Sequence, residues 1–390
     1  MVSKISDGRV ITDRKIEEKN IYIENGEIIA VTKDDMPFDV EINAKGNYVS
    51  PGFIDIHTHG ADDCDFLDND EEGYLRIAKA HAMHGAGTIL PTITSAEKTS
   101  TINCLKTFEK IKNKKHNGAN MPGLHLEGPY FSPLQAGAQD PDKIRSFDKI
   151  EYSEFLDATD SIMRWTGAPE VEGSAEFAKV LLSKGILPCI GHSDADGDCT
   201  KEAFDNGFTH VTHLYSCTSM VHRRNAYRYT GIVETAYLLD DMTVEIIADG
   251  IHLPADLLRL IYKIKGPDKV CLITDSMRGA GMPGGTESIL GSKEDGLHVI
   301  IEDGVAKLPD RSAFAGSVAF CDRLVRNMVN MADVPLEDAV YMITQTPSKV
   351  VGLGSKGAIK PDMDADIVIF DEDINIIKNI IGGEVIFSHQ

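Results

Sequence analysis

No stretch of this 390-residue chain is long and apolar enough to span a membrane, and its first residues, MVSKISDGRVITDRKIEEKN, are too charged for a signal peptide. Both features point to a cytoplasmic location without a membrane partner. No Cys-x-x-Cys pair occurs, and the seven cysteines are scattered and odd in number. That argues against a disulfide framework and fits a reducing compartment. Positive charge is scarce: 39 lysines and arginines face 61 aspartates and glutamates, a formal net charge of −22. No nucleic-acid partner is expected on that balance, and an anionic small substrate would need a local basic patch. A Gly-x-Gly-x-x-Gly loop is also missing where an open doubly wound sheet would need it, since Gly60-Ala-Asp-Asp-Cys64 follows the first strong apolar run.

What is present is ordinary globular material, 42% hydrophobic and 26% charged. The length suits one large domain and a smaller one. Residues 1–50 read as short strands, with Asn25-Gly26 between apolar runs as a hairpin signal. From Pro51-Gly52, read as a turn, the texture changes. Eight strand-like runs follow, at 53–57, 88–94, 123–130, 164–169, 186–193, 210–215, 244–250 and 270–276, separated by stretches of helical periodicity such as 71–83 and 174–182. Eight such repeats predict an α/β fold, a closed (β/α)8 barrel of the TIM type over residues 51–356. A Gly-rich loop (279–285) and a hairpin turning at Asp303-Gly304 read as an insertion over the barrel mouth. From residue 357 the pattern is strand-like again. Residues 1–50 and 357–390 are expected to share one small β-sandwich domain, because neither could bury a sheet alone.

In such a barrel the active site lies at the C-terminal strand ends. His57 and His59 follow the first strand two positions apart, so a strand's alternation points them the same way. The later strands deliver Glu127, His192, His213, His252 and Asp275 at the same level. Each alone has a bland explanation: a histidine after an apolar run is usually structural, and a strand-end aspartate often caps the next helix. Five imidazoles and two carboxylates at one rim are hard to explain as packing, because buried charges need a partner such as a cation.

These residues resemble the amidohydrolase superfamily. The strings His125-Leu-Glu-Gly-Pro129, Ala136-Gly-Ala-Gln139, Gly191-His-Ser193, Thr212-His-Leu-Tyr215, Asp249-Gly-Ile-His252, Thr274-Asp275 and Ala315-Gly-Ser317 resemble, within it, the N-acetylglucosamine-6-phosphate deacetylase family. The resemblance covers essentially the whole chain. It implies Glu127, His192 and His213 as principal metal ligands. It also implies a second metal on His57 and His59 bridged by Glu127, so one or two divalent ions per subunit, zinc or iron. Asp275 matches the family's proton shuttle and could touch a metal. His252 matches a substrate-contacting histidine beside the acetamido group.

For the substrate, a phosphorylated amino sugar, the resemblance implies contacts from Ala138, Gln139, Ser216, Cys217, Ala315, Gly316 and Ser317. Arg224, in the basic run 221–228, matches a phosphate-binding arginine that can reach across a subunit interface, which implies a homodimer; the bland alternative for that run is a solvated helix start. Relatives commonly carry Asn-Ala where this chain has Ser216-Cys217, so the sugar epimer is less determined than the chemistry. The activity implied is metal-dependent hydrolysis of N-acetylglucosamine 6-phosphate to glucosamine 6-phosphate and acetate. The alternatives are a relative acting on N-acetylgalactosamine 6-phosphate or another N-acyl amine, and a barrel that has become a non-catalytic scaffold.

Overall fold

The computed structural model describes residues 1–389. Its centre is a sheet of eight parallel strands, Phe53–Thr58, Ala86–Ile93, Leu124–Glu127, Ile162–Gly167, Leu187–Ile190, His210–Val211, Thr243–Ile247 and Val270–Ile273, each paired with the next. The last strand returns to the first: the Asp275 N–H donates to the His57 carbonyl at 2.9 Å, and Thr58 bridges Ser276 in parallel. The sheet is thereby closed, as the eight runs predict. Phe53–Thr58 and Ala86–Ile93 are buried at every position, because a barrel strand meets side chains inside and helices outside. Helices Glu71–Met83 and Ser174–Ser183 lie where the periodicity places them. The first begins on Asp70, whose carboxylate accepts from the Glu72 and Gly73 amides.

Two further sheets are built from both chain ends. Glu27–Thr32, Asn20–Glu24, Val2–Ser6 and Val40–Asn43 form one. The other contains Arg9–Thr12 and Lys15–Glu18 from the start of the chain, Ile367–Phe370, Ile376–Ile381 and Glu384–Ser388 from its end, and Tyr48–Pro51 in the middle. Ile5, Ile21, Val49, Ile367 and Ile369 share one core, so neither end buries its apolar face without the other. Asn25 and Gly26 both adopt positive φ, as the tight hairpin turn between Asn20–Glu24 and Glu27–Thr32 requires. Pro51 differs from its sequence reading. It ends a strand paired to Ile367–Phe370 rather than opening a turn, so the chain passes directly from sandwich to barrel.

The segment after the last barrel strand is a four-stranded antiparallel sheet, Glu287–Leu290, Leu297–Glu302, Val305–Lys307 and Phe314–Ser317. It lies over the barrel mouth and includes the expected hairpin at Asp303-Gly304. Residues 222–229 form an exposed two-stranded hairpin, His222–Arg224 with Tyr227–Tyr229, and not a helix start. Its turn residues Asn225 and Ala226 both have positive φ. No helix among the described residues is long and apolar enough to cross a membrane.

Candidate metal centre and active site

The C-terminal strand ends bring six of the seven rim residues into one cluster. Glu127 is its middle. Its Oε1 lies 2.9 Å from His213 Nε2 and 3.2 Å from His192 Nε2, while its Oε2 lies 3.3 Å from His59 Nε2. Asp275 Oδ1 lies 3.2 Å from His59 Nε2 and 3.5 Å from His57 Nε2, and the two Nε2 atoms are 3.3 Å apart. Two ligand groups result: Glu127, His192 and His213, and His57, His59 and Asp275. Glu127 faces both.

Local backbone geometry aims these groups. His192, His213 and Asp275 each sit at positive φ just past their strands. Non-glycine residues adopt that region rarely and at a cost, which concentrates at functional sites. The turn swings each side chain inward across the rim. Trp165 anchors the corner behind Glu127, its indole N–H donating to the Gly128 carbonyl at 2.7 Å.

The hydrogen bonds behind the imidazoles fix which nitrogen faces the cluster. His192 Nδ1 meets the Gln135 carbonyl at 2.9 Å, and His213 Nδ1 meets the Ser216 carbonyl at 3.1 Å. Carbonyl oxygens only accept, so both Nδ1 atoms carry protons. A neutral ring then presents a bare Nε2 lone pair to Glu127. His57 Nδ1 likewise faces the Glu245 carboxylate at 3.2 Å. Lone pairs facing carboxylate oxygens repel, and a divalent cation between them removes the conflict. The donor set, imidazole nitrogen with carboxylate oxygen, fits a borderline cation of the first transition row. Protons are the alternative. Burial opposes charge on His59, but Asp275 and Glu127 hold its pKa well above the ordinary value. Burial opposes charge on His192 too, yet Cys217 and Glu127 raise it likewise. Burial would raise the Glu127 carboxyl, but His57, His192 and His213 hold it well below the usual carboxylate range. Asp275 is lowered against burial by His57 and His59.

Above the cluster is a cavity of about 250 Å³. His252 lines it, and its Nδ1 pairs with Asp249 Oδ2 at 2.8 Å, which leaves Nε2 for the cavity. Burial opposes the Asp249 charge, but the hydrogen bond from His252 lowers its pKa. The His252 ring packs on Phe314 of the mouth sheet, centroids 4.8 Å apart. Ala138, Ser216, Cys217 and Gly316 also line the cavity. Gln139 lines it as well and braces the cluster. Its Nε2 donates to Glu127 Oε2 at 3.1 Å, and its Oε1 accepts from Thr94 Oγ1 at 2.6 Å.

Three of the expected substrate contacts lie elsewhere. Ala315 and Ser317 are fully buried. The Ser317 amide donates to the Asp275 carbonyl at 2.8 Å and its hydroxyl to the Thr274 carbonyl at 2.6 Å, so the strand braces Asp275 from behind. Arg224 is exposed on its hairpin, its guanidinium 5.4 Å over the Tyr229 ring, and it does not line the cavity. No lysine or arginine does, among the described residues. Sequence reasoning missed Arg164 and Glu245, both inside the barrel. The available signal was an ionisable residue in each of two apolar strands, Ile162–Gly167 and Thr243–Ile247.

Fold and site together define a barrel enzyme whose strand ends carry two clusters of histidines and carboxylates with the donor set of a metal site. Residues 48–386 match the Amidohydrolase family. The chain is 30% identical over 382 residues to an N-acetylglucosamine-6-phosphate deacetylase of Lysinibacillus sphaericus, covering 95% of this chain and 93% of that one. It is 28% identical to an N-acetylgalactosamine-6-phosphate deacetylase of Escherichia coli O157:H7, with 97% of each covered. The crystal structure of an N-acetylglucosamine-6-phosphate deacetylase from Thermotoga maritima superposes with a TM-score of 0.88 at 28% identity, covering 100% of both chains. A mutant of the Mycobacterium smegmatis N-acetyl-D-glucosamine-6-phosphate deacetylase, in complex with N-acetyl-D-glucosamine-6-phosphate, superposes at 0.89 with 27% identity, covering 100% of this chain and 99% of that one. This chain belongs to the amidohydrolase family, whose members are metal-dependent.

The raised pKa values of His59 and His192 predict that cation uptake displaces protons from the metal-free site. Affinity should therefore rise with pH until both rings are neutral. Calorimetric titration of the apoprotein in buffers of different ionisation enthalpy should show net proton release near neutral pH. A heat independent of buffer would contradict this protonation pattern.

Proposed function

We propose that this chain hydrolyses the acetamido group of N-acetylglucosamine 6-phosphate, giving glucosamine 6-phosphate and acetate, as a cytoplasmic homodimer with one or two zinc or iron ions per subunit. One observation carries the proposal: Glu127, grouped with His192 and His213, also faces His59 of a second group that contains Asp275, beneath a cavity lined by His252. The deacetylases among its relatives support the same substrate class.

A bound cation supplies Lewis acidity, which lowers the pKa of water toward about 7 and polarises a carbonyl. Glu127, His192 and His213 would hold one ion, and His57 and His59 a second. Asp275 is a carboxylate at neutral pH, its pKa already low. It takes a proton from the attacking water and passes it to the departing nitrogen as the C–N bond breaks. His252, its Nδ1 held by Asp249, directs Nε2 at the acetamido oxygen. Gln139, Ala138 and Gly316, with Ser216 and Cys217, border the sugar. Ser317 acts through Asp275 rather than by contact, and Ala315 packs with Met277, Val299 and Ala306 behind the cavity.

The phosphate needs a cation that the cavity wall does not supply. Arg224 sits with Arg223, Arg228 and the exposed Tyr227 on a projecting hairpin. That arrangement suits insertion into the cavity mouth of a second copy, where its guanidinium pairs with phosphate. Ser216 and Cys217 on the cavity wall leave the epimer open, and the galacto epimer is the second reading, supported by the relative named as an N-acetylgalactosamine-6-phosphate deacetylase.

Assaying amine release from both epimeric 6-phosphates, with metal content measured on the same samples, tests the proposal. Turnover of the gluco epimer only by cation-loaded protein is expected; a fully loaded protein inert toward both would defeat it. Asp275→Asn should lower kcat by about 10²–10⁴-fold while the Glu127 site keeps its ion, and a wild-type rate would remove Asp275 from the mechanism. Arg224→Ala should raise KM about 10–100-fold, the loss of one charge-assisted hydrogen bond, with kcat little changed. An equal KM for phosphorylated and plain sugar in the wild type would refute the phosphate role.

A further inference from the structure

We propose that the buried pair Arg164–Glu245 is a positioning device for His57, and that it determines whether the His57, His59 and Asp275 group holds a cation. The inference rests on the cation-dependent reading above and assigns a cause to its second metal site. Both side chains are fully buried inside the barrel. Glu245 Oε2 faces His57 Nδ1 at 3.2 Å and accepts the His213 backbone N–H at 3.3 Å. Its Oε1 takes the Arg164 Nη1 and His210 Nε2 donors, the latter at 3.2 Å. Arg164 also donates from Nη1 to the Ile56 carbonyl at 3.2 Å and from Nη2 to Thr212 Oγ1 at 3.0 Å. The pair therefore grips the residue before His57 and the residue before His213, one ligand from each group.

Burying such a pair costs desolvation, and apolar residues of similar volume often stabilise as well or better. Its contact with His57 supplies a reason for it that stability does not. A carboxylate accepts only, so Glu245 holds the proton on His57 Nδ1 and leaves the Nε2 lone pair toward His59, Glu127 and Asp275. Arg164 balances the Glu245 charge, which would otherwise add a third carboxylate to the two already at the rim. His210 is satisfied on its other side by Thr243 Oγ1 at 2.7 Å, so it too donates to Glu245 rather than competing for the role of acceptor.

Glu245→Gln tests this at nearly constant volume. The amide oxygen is drawn to Arg164 and His210, which only donate, and the NH₂ then meets His57 Nδ1. His57 must accept there and carry its proton on Nε2, the position a cation needs. The expected result is a 10–100-fold weaker affinity at the second site, read by chelator competition and by metal per subunit falling from about two to about one. Affinity at the Glu127, His192 and His213 site should fall by a smaller factor, because there the variant removes only the acceptor of the His213 backbone N–H and leaves the proton on His213 Nδ1 toward the Ser216 carbonyl. Unchanged affinities and two ions in the variant would overturn the inference while leaving the hydrolase reading intact. A wild type that binds no divalent cation would defeat that reading itself, and one ion per wild-type subunit at saturating metal would overturn this inference alone. Nitrogen NMR of histidine-labelled, cation-loaded wild type decides the matter should the variant not fold: His57 must carry its proton on Nδ1, and a proton on Nε2 sinks the proposal.

Discussion

The structure depends on one electrostatic constraint: acceptors face acceptors at the barrel rim. Glu127 is ringed by three Nε2 atoms within 3.3 Å, and carbonyls behind two of those rings hold the protons on the far side. In water such groups would be solvated separately. Buried together, they need positive charge between them. Protons are one source of it, since Asp275 and Glu127 push the His59 pKa up and Cys217 and Glu127 push up that of His192, but divalent ions satisfy more of the lone pairs at once. The rim is thus poised between two counter-charges, and the chemistry follows from which one is present.

The rest of the fold serves that arrangement. Eight parallel strands bring residues from 57 to 275 to one level, and closure through Asp275 and His57 joins the first ligand to the last. The interior beneath is unusually polar for a barrel core. His125 meets Thr166 Oγ1 at 2.7 Å, Thr166 meets Thr212 at 2.9 Å, and Arg164 reaches Thr212. These bonds tie the ligand-bearing strands to one another below the rim, so a ligand cannot drift without breaking a satisfied buried network. The mouth sheet supplies the ceiling, with Phe314 against His252 and Gly316 on the cavity wall.

Much of this was legible in the sequence because it is local. Each barrel strand announced itself as an apolar run, six of the eight ended in a chemical group, and the alternation of His57 and His59 placed both on one face. The nonlocal features were not legible. Arg164 and Glu245 are charged residues in different strands, and only the closed barrel makes them neighbours. Ser317 looked like a substrate contact, but its strand runs behind Asp275 and spends its hydrogen bonds there. The 222–229 hairpin was obscured by its turn. Asn225 and Ala226 take the left-handed conformations in which Asn-Gly would be the recognisable pair, and alanine there costs about 1–2 kcal/mol. Tyr48–Pro51 gave no signal of its own place either, because its partners lie at opposite ends of the chain.

Anomalous diffraction from crystals of the metal-loaded protein, collected at the absorption edge of the bound element, tests the central claim most directly. The account predicts one peak among Glu127 Oε1, His192 Nε2 and His213 Nε2 and a second beside His57 and His59, with Glu127 between the two. Density showing protonated imidazoles hydrogen-bonded to Glu127 with no peak at saturating metal, or a peak bound away from Glu127, would contradict it.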